Sequence, residues 1–384
     1  LIIAYTTILA FASLYLPQPI LPLLALQFDV SETDAALLTA VTMVPLGLAP
    51  VLYGHLVDRI SAKRLLRVAI GCLMLTEIGL AMAPAFWIMI GLRFLQGLVL
   101  PAVITALMTY SASAARTGGV RRAMNVYIGT SIIGGVSGRL VGGFVSEYLH
   151  WRAAFALVAG LLLIAWWMLG SLREGPEREV DHIGSAAIVR TLKEPLYRNA
   201  YLGIFCVFFV FASLLNYLPF RLKSLEPGIM ESTISLVYLG YLIGVAIALN
   251  GTRIADAIGG EIRGMFVGVV ILTAGVAGMT STNVPTVFAL VFCLCAGFFM
   301  IHSLLTAYLN HVTEGRRGVV NGLYIGSYYT GGALGGWLPG YVYGIAGWNV
   351  YLVFLATILV LAAGWIACMG RAASRIAGTA TARR

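Results

Sequence analysis

Four ionisable side chains, Glu77, Arg93, Arg139 and His302, stand inside long apolar runs, where a charge must have a reason. A carboxyl such as Glu77 can pair with a guanidinium or carry a proton. Two-point recognition of a carboxylate is within reach of Arg139, whose other reading is to fix backbone in its own helix or to neutralise Glu77. His302 has the titration range of a proton carrier, or it packs as a hydrogen-bonded histidine. Gln18, Gln96, Asn216, Tyr217, Tyr328 and Tyr329 could line a cavity with neutral polar and aromatic groups. No metal-ligand spacing, nucleophile motif or pair of catalytic acids accompanies them, which argues against an integral membrane enzyme and for a chain without metal or cofactor. The five cysteines lie in apolar runs and are expected to pack as small hydrophobes.

The elements that hold these residues follow from composition. The chain has 384 residues, 60% hydrophobic and 11% charged, with a mean hydropathy of +0.91. A soluble domain carries about 25% charged residues to wet its surface. Here the apolar residues form runs such as 201–218 and 350–369, near the roughly 20 needed to cross a bilayer. Backbone in hydrocarbon must satisfy its own hydrogen bonds, so these runs are helices. The 44 glycines suit close helix contacts in a membrane. Breaks at polar and proline-containing segments divide the chain into twelve expected spans. These are 3–26, 35–56, 65–83, 86–110, 123–147, 151–172, 199–219, 233–253, 263–281, 286–311, 319–344 and 348–370. The first span opens almost at Leu1, which is not a methionine, so a trimmed cytoplasmic tail is expected before it.

Charge then sets orientation. Twenty Lys and Arg fall in one set of loops and the C-terminal tail, against Arg152, Arg221 and Lys223 on the other side. The positive-inside rule places the first set and both termini in the cytoplasm. The net charge of +9 is therefore a topology signal, and nucleic-acid binding is not needed to explain it. The two arginines outside this tally are Arg93 and Arg139. Counted from the turn at Pro84, Glu77 and Arg93 should agree in depth within about 3 Å, close enough to pair; Arg139 is the other candidate partner for Glu77.

The chain also repeats itself. Ile128-Gly129, Gly134-Gly135, Gly138, Gly143, Val145 and Trp151 recur 197 residues later as Ile325-Gly326, Gly331-Gly332, Gly335, Gly340, Val342 and Trp348. The longest polar stretch lies between the copies. We therefore expect a six-helix bundle over 1–172, a cytoplasmic linker over 173–198, and a second bundle with a short tail over 199–384. Parallel repeats of this kind place a substrate site between halves, near the bilayer midplane.

These residues resemble the Major Facilitator Superfamily. Gly54-His-Leu-Val-Asp58-Arg59-Ile-Ser61-Ala-Lys63-Arg64 is similar to its Gly-x-Leu-x-Asp-Arg-x-Gly-Arg-Lys loop motif, with Ser61 replacing the second glycine. A degenerate copy runs from Gly251 to Arg263 with Asp256 and Gly259. Arg93-Phe-Leu-Gln96-Gly97 is similar to the family's Arg-x-x-Gln-Gly signature. More narrowly, Gly134 to Gly143, Asn216-Tyr217, His302-Ser303 and Ser327-Tyr328-Tyr329 resemble the acriflavine-sensitivity, drug-efflux-like branch. Two features depart from a multidrug antiporter: Gly138-Arg139 stands where Gly-Pro is usual, and the first span offers Gln18 rather than an acid.

The resemblance implies an all-α membrane protein of twelve helices in two pseudo-symmetric bundles, a monomer in the bacterial inner membrane. It implies alternating access, with export of small organic or amphipathic compounds driven by protons; the alternative is proton-coupled uptake of a small organic anion. Glu77 and His302 become the proton-coupling candidates. Gly54, Asp58, Arg59, Arg64 and Asp256 become a cytoplasmic clamp that holds one conformational state. Gln18, Arg93, Gln96, Arg139, Asn216, Tyr217, His302, Tyr328 and Tyr329 become the wall of one cavity.

Overall fold

A computed structural model describes residues 1–52, 61–113, 120–172, 185–313 and 316–381, and contains no strand among them. Fifteen helices follow in order. They are α1 (Ile2–Tyr15), α2 (Leu21–Phe28), α3 (Glu32–Leu52), α4 (Ala62–Met82), α5 (Phe86–Ser113), α6 (Val120–Tyr148), α7 (Trp151–Leu169) and α8 (Ser185–Lys193). Then come α9 (Pro195–Leu225), α10 (Glu231–Leu236), α11 (Tyr241–Ile258), α12 (Glu261–Gly278), α13 (Val284–Val312), α14 (Arg317–Trp337) and α15 (Pro339–Thr381). Ten segments among the described residues are long and apolar enough to cross a membrane. Helices α3 and α14 occupy the places of two further expected spans without meeting that measure. Leu163, Ile164 and Trp167 on α7 and Val353, Val360 and Leu361 on α15 are exposed, the outward apolar face that a lipid-facing helix presents.

Two expected helices differ from expectation. The span over 3–26 breaks after Tyr15 and resumes at Leu21 through a single 3₁₀ turn, Gln18–Ile20. Pro17 and Pro19 lack the N–H that would carry the helix forward, so the ladder stops there. The span over 233–253 is likewise two pieces, α10 and α11, joined by the 3₁₀ turn Val237–Gly240. Gly347, at φ 78°, divides α15 into two helical stretches where the last two spans were expected to meet. That conformation favours glycine because a Cβ would clash.

The chain forms two compact units. One contains residues 1–180 and 215–242, the other 181–214 and 243–384. The 31-residue α9 is thus shared, with its first part in the second unit and its end in the first. Pro219 lies inside α9 and leaves the Leu215 carbonyl without its i+4 donor; the Tyr238 hydroxyl donates to that oxygen at 3.0 Å.

Within each unit, glycines let backbones touch. A Cβ on Gly134 would meet the Ile8 carbonyl and one on Gly138 the Ala12 carbonyl, both far inside contact distance. In the other unit Gly331 lies against the Phe205 carbonyl and Gly335 against that of Phe209. Phe205 is Ile8 plus 197 and Phe209 is Ala12 plus 197, so glycines and acceptors alike follow the offset read from sequence. On the rim of the second unit, Arg316 forks onto Glu194, with one bond of 2.6 Å, and lies over the Tyr197 ring. The hydrogen bonds to Glu194 hold its guanidinium above the ordinary range.

Candidate functional site

In the first unit the broken α1 determines what Arg93 does. Pro17 cannot serve the Ser13 carbonyl, and the helix ends before Leu14 finds an i+4 donor. Arg93 Nη1 donates to Ser13 O at 2.9 Å and Nη2 to Leu14 O, while Nε donates to Leu38 O on α3 at 2.7 Å. Its Nη1 also reaches Gln96 Oε1 at 2.6 Å, and Gln96 Nε2 donates to Glu77 Oε1 at 2.9 Å. All three side chains are fully buried. The expected direct pairing of Glu77 with an arginine is therefore not formed. Gln96, one turn along α5 from Arg93, stands between them, and Arg139 is engaged elsewhere. Glu77 Oε2 has no hydrogen-bond partner. A lone arginine at this depth costs about 2.5–3.5 kcal/mol on insertion scales, and a hydrogen bond to a charged group returns roughly 1.5–3. Four such bonds make Arg93 a cap for broken helix as much as a functional charge.

Arg139 on α6 is also fully buried. Its Nε donates to Gln18 Oε1 at 2.6 Å, Nη1 to the Gly135 carbonyl at 2.8 Å, and Nη2 to the Tyr241 hydroxyl at 3.1 Å. Its guanidinium carbon lies 4.1, 4.9 and 4.4 Å from the ring centres of Tyr15, Tyr238 and Tyr241. No carboxylate lies within ion-pair distance of it among the described residues. The network continues: Gln18 Nε2 donates to Asn216 Oδ1 at 2.8 Å, and Asn216 Nδ2 donates to Thr39 Oγ1. Nearby, Glu147 Oε2 accepts from the Ser232 amide at 2.9 Å at the start of α10. Segment 215–242 is thus fixed to the Gln18–Ile20 turn, α3 and α6 by hydrogen bonds, two of them made by the charged groups of Arg139 and Glu147. Tyr217 is enclosed in the same unit, its ring 6.3 Å from Phe220.

The second unit carries the aromatic constellation. His302 Nδ1 and the Tyr324 hydroxyl are 2.7 Å apart. The His302 ring stacks along Phe298 at 5.9 Å and lies 5.1 Å from Tyr328. Phe208 stacks on Tyr328 and Phe211 on Phe298, both at 3.8 Å between centres. His302, Tyr328 and Tyr329 remain half-buried, whereas Phe208, Phe211, Phe298 and Tyr324 are buried. The buried rings hold the half-buried ones in place.

The nine expected cavity residues therefore fall into two groups. Gln18, Arg93, Gln96, Arg139, Asn216 and Tyr217 belong to the first unit, and His302, Tyr328 and Tyr329 to the second. Sequence reading missed Tyr15, Tyr238 and Tyr241 around Arg139, and Tyr324 beside His302. Spacing was the available signal: Tyr238 and Tyr241 are three apart and Tyr324 and Tyr328 four, so each pair shares a helix face. Of the expected clamp, Gly54, Asp58 and Arg59 lie outside the described residues, while Arg64 on α4 and Asp256 on α11 are exposed.

The Major Facilitator Superfamily model matches residues 3–313. The chain belongs to that superfamily. It is a multi-pass membrane transporter, as are its relatives in the superfamily. The MFS-type transporter YybF of Bacillus subtilis is 25% identical over 93% of this chain and 89% of its own. The inner membrane transport protein YnfM of Escherichia coli is 25% identical over 92% and 85%. The multidrug efflux protein YfmO of Bacillus subtilis is 23% identical over 88% and 84%. The superfamily fold is seen again in solved structures. A bacterial homolog of the human lysosomal transporter Spinster superposes with a TM-score of 0.80 at 15% identity, over 97% of this chain and 96% of that one. A mutant of the nucleoside transporter NupG superposes with 0.81 at 13% identity, over 96% and 100%.

Proposed function

We propose that this superfamily member is a secondary active transporter that exports small organic or amphipathic compounds in exchange for protons. Twelve spans in two bundles, 1–172 and 199–384, work by alternating access around the linker 173–198, as a monomer with both termini in the cytoplasm. The observation that carries the cargo class is the wall formed by His302, Tyr328 and Tyr329 over Phe208 and Phe298. It offers stacked ring faces, which suit flat apolar compounds of varied shape. His302, anchored by Tyr324, and Glu77, with one free carboxyl oxygen, are the proton carriers in this reading. YfmO is named a multidrug efflux protein, which supports the same direction. In proteoliposomes the protein should concentrate ethidium against its gradient when a proton gradient is imposed, and an uncoupler should stop it. Movement indifferent to the uncoupler would overturn proton coupling; no movement of any amphipathic cation would overturn export.

One observation favours a second reading, proton-coupled uptake of a small organic anion. Arg139 carries a buried positive charge, and among the described residues no acid lies within ion-pair distance of it.

A further inference from the structure

Arg139 has the features of an anion site, and some of the groups that now answer it belong to a segment that can leave. Its charge is buried, its planar fork is held by the Gly135 carbonyl, and its faces are covered by tyrosine rings. Its Nε and one Nη2 donor go to Gln18 Oε1 and the Tyr241 hydroxyl, two neutral oxygens on separate elements. Those two oxygens occupy the places that the oxygens of one carboxylate would take against the Nε and Nη2 edge of a guanidinium. Neutral acceptors are weaker partners for a cation than an anion is, and a guanidinium in a low-dielectric site without a counter-charge is costly.

The elements differ in attachment. Tyr15 on α1 and Gly135 on α6 lie in the first half of the chain. Tyr238, Tyr241 and Asn216 come from segment 215–242, whose chain continues directly into the second unit through α9 and α11. Alternating access requires such a segment to part from the first bundle. Arg139 would then lose Tyr241 and Tyr238, and Gln18 would lose Asn216. What remains is a charged fork beside the half-buried ring of Tyr15.

We propose that Arg139 and Tyr15 form a binding site for a flat ring bearing one carboxylate, and that this carboxylate competes with the Tyr241 hydroxyl and Gln18 for the guanidinium. The inference rests on the second reading above and names its substrate class. Carboxylate binding releases segment 215–242, and departure of the anion lets the tyrosine latch return.

Equilibrium binding of radiolabelled benzoate to the purified protein tests this, with benzamide as the ring that lacks the charge. Wild type should bind benzoate saturably and at least tenfold more tightly than benzamide. Arg139→Gln should lose at least tenfold, and Arg139→Lys should lose less. Tyr241→Phe removes one competing hydroxyl and preserves the ring, so it should bind about fivefold more tightly. No saturable benzoate binding, equal binding of benzamide, or Tyr241→Phe affinity at or below wild type overturns the site. Where Arg139→Gln fails to fold, benzamide and Tyr241→Phe still decide. Uptake of benzoate into proteoliposomes is a separate measurement: binding without proton-driven uptake overturns the second reading and leaves the site.

Discussion

Arg93 Nη1 donates at 2.9 Å to the Ser13 carbonyl, the acceptor that Pro17 leaves empty four residues on. A buried charge and a buried helix break, each costly alone, thereby answer one another. Arg93→Ala should destabilise the protein by about 3–5 kcal/mol, the range for removing one partner from a buried charged network. Pro17→Ala restores an amide for Ser13 and should recover part of that loss in the double variant. Thermal unfolding in detergent measures both. Equal stability of Arg93→Ala and Arg93→Ala/Pro17→Ala would separate the two features.

The repeated close approaches predict matching sensitivities. Gly138→Ala and Gly335→Ala each push a methyl into a carbonyl, of Ala12 and Phe209 respectively. Each should cost about 1–3 kcal/mol, as overpacking does. Gly129→Ala, where a Cβ meets nothing within 4 Å, should change thermal stability little.

His302 separates function from packing. If it carries the proton, His302→Ala flattens the pH dependence of transport, and Tyr324→Phe, which removes the oxygen 2.7 Å from Nδ1, shifts it. An unchanged profile in both variants would make the pair a packing contact.

Much of this was legible in the residues, and the reasons for the rest are specific. The all-helical membrane architecture and the repeat could be read because hydrocarbon demands long apolar runs and because Gly134, Gly138, Gly331 and Gly335 recur at fixed offset. The break at Pro17 was readable in principle, since a proline cannot continue the ladder, but span length alone bridged it. The pairing of Glu77 was misjudged because depth is one coordinate and azimuth another. Gln96, one turn along α5 on the face of Arg93, intervenes. The cage around Arg139 draws on Tyr15 and on Tyr241, 226 positions further along the chain, a closeness that no local pattern encodes.

The loop motif makes a prediction that does not depend on the described residues. Asp58→Asn should slow transport several-fold and leave thermal stability within about 0.5 kcal/mol, as expected of a charge that acts on a conformational equilibrium. A large fall in stability would instead assign Asp58 to folding.

Helix α9 has the last consequence. It is a rod of about 46 Å whose ends answer to different masters. In the proposed alternating access, a stiff rod that belongs to both units needs a fulcrum. The Leu215 carbonyl, abandoned by Pro219 and taken up by Tyr238, sits at the boundary between the two allegiances. In the exchange proposed for Arg139, Tyr238 and Leu215 depart together on segment 215–242, so the phenol keeps its hold on that oxygen and the fulcrum travels with the segment.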